Sequence, residues 1–390
     1  MESGDAAAGD RLPVSLLTGF LGSGKTTVLN YLVRQPALAN TVVIINEFGA
    51  IGLDHDLVES SNEDLVLLQS GCLCCTIRSD LATTLRSLFL RRVRGDILEF
   101  DRVVIETTGL ADPAPILHTL MTDRLLAARY RLDGVVTTVD AATGQSTLDR
   151  QIESVKQAAV ADRLLLTKAD LVEAQEVDAL VQRLRALNPA APIVQVLNGA
   201  VDPGRLFDAG LYNPKTKSLD VQRWLNAEAY LTGDRHEISE HSHDAHGDQH
   251  EVAHGHHAHA HDINRHDEHI TAFCLTLDAP IDADVFEPWL DLLVAFQGPD
   301  LLRVKGILNV LGFPGPVVIH GVQHVFHPTV YLKQWPSKDQ RSRIVFIGRD
   351  LPEAALRDTF KLVTAEGKGA AEALSARADG SDIPVFELPL

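Results

Sequence analysis

One eight-residue segment, Gly19-Phe20-Leu21-Gly22-Ser23-Gly24-Lys25-Thr26, restricts what this chain can fold into more than any other. It matches the phosphate-loop pattern in full, and that pattern needs a strand before it and a helix after it. The apolar run Pro13–Leu17 and the amphipathic stretch Lys25–Arg34 supply both. Glycines let backbone N–H groups converge on phosphate oxygens, and a helix N-terminus adds a favourable dipole. Gly19, Gly22, Ser23, Gly24 and Thr27 would line the cradle, Lys25 would reach the outer phosphates and the Thr26 hydroxyl would ligate Mg2+.

The rest of the first half agrees with that context. Apolar runs at Thr41–Ile45, Leu65–Gln69, Arg102–Ile105, Gly134–Val139, Arg163–Leu166 and Pro192–Val196 read as strands. Ser79–Arg92, Pro113–Met121, Leu148–Ala159 and Glu173–Leu187 read as helices. Strands alternating with helices imply an α/β fold, a parallel sheet of the P-loop NTPase kind covered by helices on both faces. In such sheets ligands bind at the carboxyl ends of the strands.

A second folded unit begins at Ile270. Ile270–Leu277, Leu301–Leu311, Val317–His327 and Arg343–Gly348 read as strands, with helices at Val285–Val294 and Leu351–Val363. The division expected is a disordered lead over 1–11, a P-loop nucleotide-binding domain over 12–230, a histidine-rich linker over 231–269 and a smaller α+β domain over 270–390.

Two more strand ends carry chemistry. Glu106-Thr107-Thr108-Gly109 places an acid where it would hold the magnesium ion or its water. The glycine three residues on has an N–H that would sense the terminal phosphate, as switch loops do. The bland reading is a strand end with a turn glycine. Thr167-Lys168-Ala169-Asp170 follows another apolar run. A carboxylate at Asp170 can accept hydrogen bonds from N1 and N2 of guanine, a pair of donors that adenine lacks, and so would select GTP. Lys168 would lie along the base and ribose. Thr167 stands where asparagine is usual, and its hydroxyl would support the loop less fully than an amide. The bland reading makes Asp170 a helix N-cap.

Three of the four cysteines fall in Gly71-Cys72-Leu73-Cys74-Cys75. Thiolates favour zinc, copper(I) and similar ions. A loop with Cys72, Cys74 and Cys75 therefore reads as a metal site, with a Cys72/Cys75 redox pair as the alternative. Zinc usually takes four ligands, so further groups are needed. Glu47, after the second strand, is the first candidate, with His55 and Asp56 behind it. Cys274 reads as a structural core residue.

Twelve of the 17 histidines lie between about residues 234 and 269, among small and acidic residues. Such a tract has too little apolar surface for a core and reads as a solvated linker. His254, His256, His257, His259 and His261 also make it a candidate metal-capturing tract of modest selectivity. Further on, His320, His324 and His327 fall on one expected strand, where His320 and His324 would share a face.

Acidic residues outnumber basic ones 53 to 35, a net charge of −18. That balance, without a basic stripe, argues against nucleic acid and against an anionic membrane surface as partners. No run approaches the roughly 18 apolar residues of a membrane span. The beginning of the chain lacks a signal-peptide pattern, which points to the cytoplasm. Oligomeric state is not legible.

Taken together, GFLGSGKTT (19–27), NEFGAIGLD (46–54), GCLCC (71–75), ETTGLADP (106–113) and TKAD (167–170) resemble the CobW family of GTPases. The second unit is similar to that family's C-terminal domain through Leu302-Arg303-Val304-Lys305-Gly306 and Ile319-His320-Gly321-Val322-Gln323-His324. The resemblance implies a slow GTPase and metallochaperone that binds zinc or cobalt through its C-x-C-C thiolates and delivers the ion to client metalloproteins. The family often has an acid after the glycine of N-E-F-G, where this chain has Ala50. Two rival readings are a cobalt or iron insertion factor for one enzyme, such as a nitrile hydratase, and a passive histidine-rich metal buffer.

Overall fold

The computed structural model describes residues 11–46, 58–62, 65–68, 73–76, 81–210, 212–213, 218–219, 224–230, 269–327 and 329–364. For residue 46 and for the short stretches within 58–76 and 212–219 it describes backbone alone. The lead before Arg11, Glu47, Cys72 and the histidines 254–261 lie outside the described residues.

The first unit is built on a nine-stranded sheet. Its strands are β1 (Leu12–Gly19), β2 (Thr41–Asn46), β3 (Val58–Asn62), β4 (Leu65–Leu68), β5 (Leu73–Thr76), β6 (Arg102–Thr107), β7 (Tyr130–Asp140), β8 (Arg163–Thr167) and β9 (Ile193–Val196). They lie in the order β3-β4-β5-β2-β6-β1-β7-β8-β9. Every pairing from β5 across to β9 is parallel. β3 and β4 continue the sheet antiparallel beyond β5. The helices are α1 (Lys25–Leu32), α2 (Leu81–Arg94), α3 (Ala114–Thr122), α4 (Arg124–Arg129), α5 (Gly144–Arg150), α6 (Ile152–Ala159), α7 (Ala174–Leu187) and the short α8 (Pro203–Leu206).

Burial on both faces explains why these strands read as unbroken apolar runs. Val42 and Ile44 of β2 pack with Leu85 of α2 and Leu117 of α3 on one face. Val43 and Ile45 pack with Val28, Leu29 and Leu32 of α1 on the other. β1 is interior, so the loop leaving it emerges at the middle of the sheet's carboxyl edge.

β10 (Tyr212–Asn213) and β11 (Ser218–Leu219) pair antiparallel as a separate two-stranded ribbon. In the second unit β12 (Ile270–Leu277), β13 (Leu301–Leu308), β14 (Val317–Val322), β15 (Val325–Phe326), β16 (Val330–Tyr331) and β17 (Ser342–Arg349) form an antiparallel sheet with helices α9 (Ala283–Gln297) and α10 (Glu353–Phe360). One face packs on those helices through Phe273, Phe286, Phe346 and Phe360. The other packs on the first unit, where Cys274, Ile307 and Ile347 meet Ala158, Leu180 and Leu184. Cys274 is buried there, as expected of a core residue.

Three expectations need correction. The single helix over Leu148–Ala159 is two, α5 and α6, separated at Gln151, whose backbone is extended (φ −124, ψ 104). The cysteine segment is not wholly a loop, because Leu73–Thr76 is strand β5. The strand expected over Val317–His327 is a hairpin that turns at Gln323, where φ is +53. Among the described residues no helix is long and apolar enough to cross a membrane.

Candidate functional site

The loop between β1 and α1 closes on itself through Ser23 N–H to Phe20 O, 3.2 Å. Gly24 opens α1 at φ 92, a conformation that suits glycine, and no side chain caps the helix. The first-turn amides are thus not taken by a side-chain cap, which fits an anion cradle. Lys25 is 7% exposed, and its Nζ donates to Gly19 O (2.9 Å) and Phe20 O (3.1 Å). Two neighbouring strands hold the loop's back. Ser23 Oγ and Thr138 Oγ1 share a hydrogen bond of 2.6 Å, and Thr167 Oγ1 donates to Ser23 O at 2.8 Å. The Thr167 hydroxyl therefore does support the phosphate loop directly.

β6 lies beside β1 with Leu17 level with Glu106. Thr26 Oγ1 donates to Glu106 Oε1 at 3.0 Å, and the carboxylate is buried. A hydroxyl and a carboxylate facing one point at a phosphate loop form an oxygen donor set of the kind Mg2+ takes. Gly109 follows on the next turn and abuts the loop. A Cβ there would lie 2.6 Å from Leu21 N, so no side chain fits.

At the end of β8, Lys168 adopts φ +56 and its Nζ donates to Asp140 Oδ2 at 2.6 Å. Asp170 is exposed in a short 3-10 turn, Ala169–Leu171. It is not the cap of the helix that follows, since Glu173 caps α7 in a reciprocal box with Glu176. Sequence reasoning missed one element here, the turn after β9. Gly199 sits at φ +79 against Thr27 O, where a Cβ would come within 2.4 Å. The Asn198-Gly199 dipeptide was the signal available.

The cysteine strand belongs to the same sheet. β5 pairs with β2 in the register Val43↔Cys74 and Ile44↔Cys75. It is the third strand from β1, about 14 Å away at the usual strand spacing. Among the described residues no group of three or more His, Cys, Asp or Glu side chains is arranged to hold a metal.

The hairpin rearranges the histidines expected on one strand. His320 stacks on His327 at 5.1 Å and meets the Trp224 ring edge-on at 5.5 Å. His324, on the turn, meets His118 of α3 at 5.1 Å. The His118 Nε2–H donates to Val322 O at 2.9 Å. Burial, helped by the Arg11 charge, lowers the His327 pKa to about 4. Burial and the neighbouring His327 lower that of His320 well below its usual value. An unfolded imidazole protonates near pH 6.5. Between about pH 6.5 and 4 the unfolded chain therefore binds more protons than the folded one, and stability falls as the pH falls. Denaturant midpoints are expected to drop between pH 7 and pH 5, and less steeply for His327→Gln. Equal slopes for the two proteins would exclude this origin.

A chain that seats this loop on a central parallel strand, with Thr26 facing the strand-end Glu106 and a Thr-Lys-Ala-Asp turn two strands away, is a P-loop GTPase. The family model for the CobW/HypB/UreG nucleotide-binding domain matches residues 13–195, and that for the cobalamin synthesis protein CobW C-terminal domain matches 270–363. The chain belongs to the CobW family. It is 32% identical over 349 residues to the zinc chaperone YjiA of Escherichia coli, covering 90% of this chain and 98% of that one. It is 28% identical over 374 residues to zinc-regulated GTPase metalloprotein activator 1 of Schizosaccharomyces pombe, covering 88% and 83%. The solved structure of Zn(II)-bound YjiA GTPase from Escherichia coli superposes with a TM-score of 0.67 at 31% identity, covering 90% of this chain and 99% of that one.

Proposed function

We propose that this protein is a GTP-hydrolysing metallochaperone that carries a divalent transition metal, zinc before cobalt, to client metalloproteins in the cytoplasm. Nucleic acid and membrane are not its partners. Residues 12–230 are assigned to the GTPase domain, 231–269 to a histidine-rich linker that captures metal, and 270–390 to the second domain. The observation that carries the reading is that one sheet bears both the phosphate loop, after β1, and the cysteine-bearing strand β5. The relatives named zinc chaperone and zinc-regulated activator support the choice of cargo.

In this reading Gly19, Gly22, Ser23, Gly24 and Thr27 hold the phosphates and Lys25 meets the outer ones. Thr26 and Glu106 hold Mg2+, which neutralises phosphate charge when bound. The Gly109 N–H meets the terminal phosphate. Asp170 selects guanine, with Lys168 along the base and Thr167 bracing the loop. Cys72, Cys74 and Cys75, with Glu47, take the cargo ion. The coupling in this reading is reciprocal: nucleotide changes the metal's affinity by the same factor as metal changes the nucleotide's.

Titrating the full-length protein with Zn(II) and Co(II), with and without a non-hydrolysable GTP analogue, tests this. One tight site is expected, its affinity shifted by the analogue about 5–150-fold, the usual range of such coupling. Cys74→Ala should lose the tight site, and deleting residues 236–269 should keep it. Zinc affinity indifferent to nucleotide would reject the coupling. Loss of tight binding with the histidine deletion, but not with Cys74→Ala, would favour a passive buffer.

A further inference from the structure

Two side chains of helix α6 hold the loop that carries Gly109. Gln157 is 1% exposed. Its Nε2 donates to Gly109 O at 3.2 Å and to Ala111 O at 3.0 Å. Both neighbours are carbonyl oxygens, which only accept, so the amide NH2 must face them. The next residue toward the helix start, Lys156, places Nζ 2.8 Å from Asp112 Oδ2. Asp112 Oδ1 in turn accepts from Ala114 N–H at 2.9 Å, at the start of α3. The helix is itself tied to β7, because Thr137 Oγ1 donates to Gln157 O at 2.8 Å.

These bonds fall on either side of Gly109. The peptide before it is held at Thr108 O, which accepts from Thr107 Oγ1 (3.1 Å) and Ala111 N–H (3.2 Å). The peptide after it is held at Gly109 O by Gln157. With both flanking peptides fixed, both dihedrals of a residue that has no side chain of its own are set from outside. Gly109 also abuts Leu21 N, so a small shift of one loop is felt at once by the other.

We propose that Gln157 and Lys156 are positioning residues that hold the 108–112 loop in the conformation that accepts a terminal phosphate, and so set the preference for GTP over GDP. This rests on the reading of the Gly109 N–H as the terminal-phosphate contact. GDP lacks that phosphate, so the two residues act on GTP binding and leave GDP binding nearly untouched.

Gln157→Met keeps the side chain's length and removes both donors; Lys156→Met removes the tie to Asp112. Fluorescent GDP and a fluorescent non-hydrolysable GTP analogue are titrated into each full-length variant with Mg2+, alongside a thermal melt. For Gln157→Met the analogue should bind about tenfold more weakly while GDP changes by less than about twofold. Lys156→Met should act in the same direction, more weakly, because its ion pair is partly exposed. Equal weakening of both nucleotides means a merely structural role and overturns the proposal, as does no change in either. Amide exchange of the parent protein separates the two levels. If the analogue protects residues 108–112 more than GDP does, while Gln157→Met leaves the preference intact, only the positioning role fails. If the parent shows no such difference, the terminal-phosphate reading fails and the proposal with it.

Discussion

Asp162→Ala is expected to destabilise the protein by about 3–5 kcal/mol, the usual cost of leaving a buried charge without its partner. Asp162 lies between the two units and is nearly fully buried. Its Oδ1 accepts from Arg303 Nη2 at 2.5 Å and from Lys305 Nζ at 3.0 Å, and its Oδ2 accepts from Val135 N–H at 3.0 Å. Burial alone would raise the carboxyl's pKa. The two cations and the Val135 amide more than reverse that and hold it well below the usual carboxylate range. Both cations come from β13, a strand buried along its whole length. Arg303 also donates to Val160 O, and Lys305 to Trp224 O at 2.9 Å with its ammonium over the Trp224 ring. Truncation would leave both beside a cavity of about 30 Å³ that has room for water and supplies no counter-charge of its own.

The two cations differ in how they respond. Arg303 cannot shed its proton, whereas burial and the adjacent Arg303 already draw the Lys305 pKa down to about 7. The unfolded lysine stays protonated to about pH 10. From pH 7 upward the unfolded variant thus binds more protons than the folded one, and stability rises with pH. The parent shares that rise, but without Asp162, which raises the Lys305 pKa, the variant's lysine sheds its proton at lower pH, so the Asp162→Ala deficit should narrow as the pH rises to about 7 and stay level from there to pH 9. Calorimetric melts of parent and variant at pH 6, pH 7 and pH 9 measure it. A deficit below about 1 kcal/mol at pH 7 would mean that water relieves the two charges, and the triad would then not hold the units together.

What the sequence disclosed and what it withheld follow from how locally each feature is determined. The phosphate loop was legible because its glycines, lysine and threonine dictate their own backbone, and the strands around it because burial on two faces leaves only apolar residues. β3 was not, because Val58-Glu59-Ser60-Ser61-Asn62 on the outer edge of the sheet carries little apolar patterning. β5 is four residues long, and two of them are the cysteines whose chemistry drew a loop reading. The break at Gln151 interrupts no apolar periodicity, since Leu148, Ile152, Val155 and Ala159 keep helical spacing across it. The turn at Gln323 carries no Gly, Pro or Asn at the position that needs positive φ. Gln157 was invisible for a different reason: its partners are carbonyls 46 and 48 residues away, and no motif records them. Arg303 and Lys305 did leave a trace. Two cations spaced two apart in an apolar strand share one face of it, and an anion buried opposite was the inference to draw.

Lys25→Met is expected to lower GTP turnover by about 10²–10³-fold, the usual loss when one charged or hydrogen-bonding group facing a developing negative charge is removed. The geometry favours so large an effect. Lys25 is held within the loop by two backbone carbonyls, Gly19 O and Phe20 O, so its ammonium is already placed before nucleotide arrives and little ordering is needed on binding. Methionine keeps the unbranched stem and a helix propensity close to that of lysine, so α1 should persist and the melting temperature should change little. Single-turnover hydrolysis with saturating Mg-GTP separates chemistry from binding. The rate constant should fall even where the nucleotide is fully bound, and GDP should bind more weakly because the loop's fixed positive charge is gone. A variant that turns over GTP within tenfold of the parent would show that the loop's backbone amides, the α1 dipole and the Mg2+ proposed for Thr26 and Glu106 suffice to carry the charge, and the role given to Lys25 would have to be withdrawn.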